Sequence, residues 1–276
     1  MIKADKYFIE NLNEIIQNGY WDENSRPKYL DGIEAKSKFI TQICEKYDIS
    51  KGEFPITTLR NTAIKTGIKE ILWIYQKQTN SLDIAHDMGI NWWNDWDIGN
   101  STIGCRYGYT VREYDLMNEL LDGLKNNPFG RRHILNLYQY ADLKKSKGLY
   151  PCAYETLWSV RKDNNDMYID VTLVQRSSDY LVANYINKTQ YVALLLMVSS
   201  HLGYKPGIFV HFVQNLHIYD RHFDAVKEIL DRNNLEIQPS IRIKENKSFY
   251  EFTIDDFIIE NIDGISKLDS KLELAI

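Results

Sequence analysis

A chain of 276 residues with 44% hydrophobic and 13% aromatic content can bury one substantial core or two modest ones, and one large domain is the expectation. Its net charge of -5 and pI near 5.7 give no global attraction for a polyanion, so RNA binding is not indicated and any bound phosphate must be met by a few local arginines. No run of roughly eighteen apolar residues could cross a bilayer, the opening residues lack the pattern of a secretory signal, and the three cysteines, Cys44, Cys105 and Cys152, fit neither a disulfide framework nor a paired metal site; a cytoplasmic protein is expected, with its thiols available for chemistry.

Residues 4–17 place Phe8, Leu12, Ile15 and Ile16 on one face, which predicts an amphipathic helix stopped by Asn18-Gly19. From Tyr20 to Lys51 the sequence turns polar and punctuated, and Pro27 and Gly32 predict an exposed loop carrying Arg26 before a mixed stretch. Residues 62–77 put Ile64, Ile68, Ile71, Leu72 and Tyr75 on a helical stripe, with the carboxylate of Glu70 unusually close to that apolar face. After Trp92, Trp93 and Trp96 comes a glycine-punctuated turn region at 103–115, then a helix from Tyr114 to Lys125 that leaves Arg131 and Arg132 at the start of the next element. Residues 133–143 read as a strand, and 156–162 with 167–177 as a hairpin around a short polar turn. Residues 188–202 form the most apolar helix, which Gly203 can cap. A strand over 206–219 has a histidine-rich end, a helix follows from about Asp224 to Asn233, and 248–262 reads as a further β stretch. Without repeat, linker or composition break, the pattern gives a single α+β domain spanning 1–276, a mixed β-sheet flanked by helices.

Candidate chemistry sits at element ends. Cys152 follows Pro151 at the start of a strand; a lone cysteine is more often a small buried hydrophobe, and reactive use needs a cationic neighbourhood. Arginines are what the sequence offers: Arg131-Arg132 and Arg176-Ser177-Ser178-Asp179 are solvated surface groups by default, but guanidinium forks and a serine hydroxyl also suit a phosphate monoester. His217 and Tyr219 share one face of an extended segment and can address one ligand edge. His211, His217 and His222 match no zinc pattern, and neither a dinucleotide fingerprint nor a P-loop is present, so no metal is expected. The tryptophan cluster is core filling or a wall for a planar heterocycle.

The order of these signals from about residue 20 onward resembles the thymidylate synthase family. Pro151-Cys152, the preceding NPFGRRHI, Gln175-Arg176-Ser177-Ser178-Asp179 continuing to Asn187, the His217, Tyr219, His222 spacing, FPITTLRN and KEILWIYQKQTN each have a counterpart there. PCAYETLW and TIDDF are similar to a subgroup typified by a second synthase of low-GC Gram-positive bacteria. The resemblance implies the family's fold, a sheet-to-sheet homodimer, and conversion of dUMP to dTMP with 5,10-methylenetetrahydrofolate as donor of carbon and hydride, yielding dihydrofolate. It implies that Cys152 adds to C6 of dUMP. Arg26, Arg131, Arg132 and Arg176 would hold the phosphate with Ser177, the Arg131-Arg132 pair reaching in from the partner subunit, and the adjoining Ser178 and Asp179 would also contact the nucleotide. Asn187 would pair with the uracil edge, His217 and Tyr219 with the deoxyribose hydroxyl. Glu70 would relay protons, Tyr107 would help remove the C5 proton, and Trp93, Trp96, Asp179, Ala183 and Ala275 would line the folate.

Departures from the family pattern are Ala153 in place of a common histidine, Val182-Ala183 in place of LG, and Tyr185-Ile186 in place of PF. Two other readings stay open at this level: a dUMP hydroxymethylase of the same fold, in which water replaces hydride, and a non-catalytic nucleotide- or RNA-binding relative. Asn187 favours a uracil base, and the apolar end Leu274-Ala275-Ile276 favours hydride transfer by excluding water.

Overall fold

The computed structural model describes all 276 residues. Helix α1 (Lys3–Asn18) buries Phe8, Leu12 and Ile15 as its spacing predicts and ends at Gly19, whose N–H caps the Ile15 carbonyl. Strands β1 (Tyr20–Trp21) and β2 (Ser37–Asp48) follow. The twelve residues of β2 correct the reading of 20–51 as loop and mixed stretch. The strand escapes notice because it inverts the usual code, burying Glu45 while exposing Cys44.

Helix α2 (Ile64–Ile71) runs into a π-helical turn, Leu72–Gln76, and α3 (Leu82–Asp87) comes next. The predicted turn region at 103–115 is corrected in part, since it contains α4 (Gly108–Glu113). After α5 (Leu116–Asn126), the strand predicted over 133–143 shrinks to β3 (Ile134–Asn136), followed by α6 (Tyr140–Lys145). Asn136 ends it, because its side-chain oxygen accepts from the Tyr138 N–H at 2.7 Å and diverts the backbone from the ladder.

The predicted hairpin is β4 (Ala153–Asp163) and β5 (Asp166–Gln175). The short β6 (Ser178–Asp179) leads to α7 (Asn184–Leu202), which Gly203 caps at φ 69°. Strand β7 (Lys205–Tyr219), α8 (Phe223–Asp231), β8 (Ser240–Ile243) and β9 (Phe257–Glu260) complete the chain. Of the β stretch expected at 248–262 only β9 forms. Ser248 with Glu251, and Thr253 with Asp256, build two capping boxes that wind the preceding residues into helical turns.

The main sheet runs β1-β2-β7-β5-β4-β3, with β6 against β7. It is mixed: β5 and β6 lie parallel to β7, and the other neighbours pair antiparallel. One face buries Trp158, Val160, Val171, Leu173, Phe209 and Val213. The opposite face carries Leu157, Thr172, Val174, Val210 and Phe212, all exposed or half-buried.

Helix α7 connects β5 and β6 to β7 and is buried over most of its length. Its first turns are not apolar throughout. The Lys188 ammonium is fully buried 2.7 Å from Glu45, 3.5 Å from the centroid of the Tyr185 ring, and Glu45 also accepts from Tyr47 at 2.6 Å and Asn11 at 3.0 Å. A buried pair of this kind offsets its own desolvation, but half of it does not. Lys188→Met is therefore expected to destabilise the fold by about 3–5 kcal/mol in urea denaturation, and Glu45→Leu/Lys188→Met to recover most of that loss; a single variant as stable as the double would refute the pairing energetics.

Candidate active site

The strand directions assemble the site. Because β5 and β7 are parallel, their last residues lie at the same edge of the sheet, and antiparallel β4 begins there. This edge gathers Cys152 before β4, Gln175 and Arg176 at the end of β5, His217 and Tyr219 at the end of β7, and the first turn of α7. A bulge between Ala153 and Glu155 turns the start of β4 beside the cysteine. Together with α2, the tryptophan cluster and the last residues, these elements enclose a cavity of about 780 Å³.

Cys152 is half-buried, with its Sγ 3.4 Å from the Arg176 guanidinium. That guanidinium also donates to the Pro151 carbonyl at 2.9 Å and the Tyr150 carbonyl at 2.8 Å, so it clamps the turn that carries Cys152. Burial pushes the thiol pKa up, while Arg176 and Arg26 draw it down. The cationic neighbourhood expected from the sequence is present, but burial outweighs it and the thiol stays protonated at neutral pH.

The Cys152 N–H donates to the Tyr107 hydroxyl at 3.4 Å. Tyr107 reaches it from a backbone with φ 51° and ψ -114°, a costly conformation for a non-glycine residue. The next residue is Gly108, where a Cβ would lie 2.2 Å from the Thr79 carbonyl oxygen, so only glycine lets the turn press in this far. Burial holds the Tyr107 phenol well above its ordinary pKa, which makes it a neutral hydrogen-bonding group and not a base.

Glu70 sits in α2 two residues before the helix changes to π-helical winding, and it is 7% exposed. Burial pushes its carboxyl up to about 7, against the pull of Trp92, Trp93 and Gln190, which poises it for proton transfer near neutral pH. Asn187 faces the same cavity, its Oδ1 accepting from Gln175 at 2.9 Å and its Nδ2 donating to Gln190 at 2.9 Å. His217 is buried with a lowered pKa, caused first by desolvation. Its Nδ1 donates to Asn215 Oδ1 at 3.0 Å, leaving Nε2 of the neutral ring as an acceptor. Burial raises the Tyr219 phenol, so it remains a donor.

Arg26, Ser177, Ser178, Asp179, Trp93, Trp96, Ala183 and Ala275 also line the cavity. Two of them are already engaged: Ser178 Oγ accepts from Asn184 at 3.0 Å, and Asp179 Oδ1 accepts from the Leu181 and Val182 N–H groups at 3.0 and 3.1 Å. Arg131 and Arg132 are exposed and lie outside the cavity of their own chain. Residues 274–276 line it, held by antiparallel backbone bonds between Lys28 and Ile276 at 2.8 and 2.9 Å and by His222 donating to the Glu273 carbonyl at 2.8 Å.

The sequence reading did not single out Gln175, Gln190, Tyr191 or Ile74 as cavity residues. One signal was available: Lys188, Thr189 and Gln190 are consecutive polar side chains at the head of an otherwise apolar helix. Arg106 was missed as well. Fully buried, it donates to Ser146 Oγ and O, both at 2.7 Å, and so fixes the segment leading to Cys152.

Residues 6–274 match the family model described as thymidylate synthase. Thymidylate synthases of Streptococcus gordonii and Streptococcus pneumoniae are 46% and 45% identical to the chain over 280 aligned positions, covering 100% of both partners in each case. Among solved structures, the thermostable thymidylate synthase A from Bacillus subtilis superposes with a TM-score of 0.87 at 35% identity, over 99% of each chain. With a cysteine thiol, a carboxyl of raised pKa and the Asn187 amide converging on one cavity, and with these full-length similarities, the chain belongs to the thymidylate synthase family.

Proposed function

We propose that the protein converts dUMP to dTMP, with 5,10-methylenetetrahydrofolate as co-substrate and dihydrofolate as the second product. The observation that carries this reading is the placement of Cys152 against Arg176 in the same cavity as Glu70 and Asn187. Arg26 and Arg176 bring positive charge to the phosphate and lower the cost of forming the thiolate. The Cys152 thiolate adds to C6 of the uracil ring, and the negative charge that develops along C5, C4 and O4 is met by the Asn187 amide and the Glu70 carboxyl. With its pKa near 7, Glu70 can hold or release a proton at O4 within one turnover. Tyr107, neutral and accepting from the Cys152 N–H, would orient a water molecule that takes the C5 proton. Neutral His217 accepts from the deoxyribose hydroxyl and Tyr219 donates to it.

The cavity suits a folate beside the nucleotide. Its volume of about 780 Å³ lies toward the upper end of small-molecule sites. Trp93 and Trp96 meet edge to face at 5.5 Å and form an aromatic wall, and Asp179 keeps an oxygen beyond the one that caps Leu181 and Val182. When bound, the folate supplies the one-carbon unit and the hydride. The side chains of Leu274, Ala275 and Ile276 exclude water there, which supports reduction over the hydroxymethylation that water would give.

A homodimer completes the reading. The uncovered sheet face aligns Leu157, Thr172 and Val210 in one cross-strand row and Val174 and Phe212 in the next, an apolar surface suited to a second copy. Arg131 and Arg132, exposed on their own chain, would enter the partner's cavity. Cytoplasmic residence agrees with free cysteines and with the absence of any helix long and apolar enough to cross a membrane.

Four outcomes test this. Cys152→Ala should abolish dTMP and dihydrofolate formation, followed by mass spectrometry and absorbance, while calorimetry still detects dUMP binding; turnover in the variant would sink the mechanism. Glu70→Gln should lower kcat by about 10²–10⁴. A raised carboxyl pKa makes its stabilising contribution complete below about 4.5 and lost as pH rises through about 7. Glu70→Gln should therefore gain about 3 kcal/mol relative to wild type between pH 5 and pH 8 in urea denaturation, and a pH-independent difference would remove the assignment. Finally, Cys152→Ala and Arg131→Ala/Arg132→Ala chains, each nearly inactive alone, should regain about a quarter of wild-type activity when refolded together in equal amounts; no recovery would argue against shared sites.

A further inference from the structure

The amide of Asn187 is held by a relay that begins outside the cavity. Its Oδ1 accepts from Gln175 Nε2 at 2.9 Å, and Gln175 Oε1 in turn accepts from His211 Nε2 at 2.7 Å. A carbonyl oxygen can only accept, so the ring hydrogen of His211 is on Nε2. His211 Nδ1 is buried without a partner. A bare lone pair is a cheaper orphan than an unpaired N–H, which favours this tautomer over the other. The ring is fully buried on β7, stacked on Phe209, and burial together with the Lys188 charge keeps it neutral.

From His211 the hydrogen bonds run in one direction, through Gln175 to Asn187 and on to Gln190. Reversing the Asn187 amide would set its N–H against the Gln175 N–H and its oxygen against the Gln190 oxygen. That orientation decides which base fits. Uracil offers an N3–H donor and an O4 acceptor; cytosine offers a bare N3 and an amino donor, the inverse pattern. An asparagine free to turn over would serve both.

We propose that His211 is a positioning residue for base selection: by donating to Gln175 it locks the Asn187 amide in the orientation that accepts from N3–H and donates to O4, and so favours uracil over cytosine nucleotides. The proposal rests on the reading of the cavity as a dUMP site. A merely structural role would weaken both nucleotides alike, so the readout is the ratio of the dissociation constants of dCMP and dUMP, measured by calorimetry at pH 8 on the full-length protein.

Wild type should prefer dUMP, and His211→Phe should reduce the ratio about tenfold or more. Gln175→Glu, whose carboxylate can only accept and therefore turns the amide over, should shift preference toward dCMP, and this variant decides the matter if His211→Phe does not fold. Unchanged ratios in folded variants would overturn the relay while leaving the dUMP reading intact. Failure of wild type to bind dUMP would remove both.

Discussion

Two neighbouring parallel strands cannot be joined by a tight turn, so β5 and β7 require a crossover, and α7 supplies it. The crossover fixes the site. It returns the chain across the inner face of the sheet with its first turn above the ends of both strands, where Asn187 and Gln190 stand next to Gln175. The same helix carries Lys188 one residue further, and its ammonium turns inward to Glu45. One helical turn thus presents an amide to the cavity and a charge to the core. A shift of this turn would break both, so the buried ion pair helps hold the register of the helix that presents the Asn187 amide.

Polar groups are concentrated in this part of the interior, at a cost to stability. Glu70 is kept from water until its pKa approaches neutrality, His211 leaves a nitrogen unpaired, and Tyr107 occupies a strained backbone conformation. None of these helps the fold by itself. They persist because the surrounding structure is rigid: Gly108 packs against the Thr79 backbone, and Arg106 ties the segment before Cys152 through Ser146. Pre-organisation of this kind lets hydrogen-bonding groups meet developing charge without rearranging.

Much of this was legible in the sequence, and the failures have a common cause. The amphipathic α1, the β4–β5 hairpin and the buried α7 were readable because their apolar spacing matches their geometry. Strand β2 was not, because the partner of a buried lysine must be a buried acid, and Glu45 at an inward position destroys the alternation that marks a strand. Side-chain capping hid the short helical turns near 249–256 in the same way, since it is a local device that hydropathy does not record. Among site residues, those in contiguous motifs could be named in advance. Gln175 was named only as part of a motif, and its function depends on His211, 36 positions away. Relays of that kind exist only in the folded chain.

Electrostatics also bears on the proposed second copy. A phosphate monoester carries a charge approaching -2 at neutral pH, and one chain brings Arg26 and Arg176 to the cavity. Arg176 has already committed its Nε and Nη2 donors to the Pro151 and Tyr150 carbonyls and to the thiol, so only its Nη1 donors are left for an anion. Burial meanwhile raises the thiol pKa further than these two arginines lower it. Guanidinium groups delivered from a partner would correct both deficits at once, completing the phosphate clamp and tipping the cysteine toward thiolate. In that arrangement the outer face of the sheet is part of the catalytic design, because its apolar rows hold the copy that supplies the missing charge.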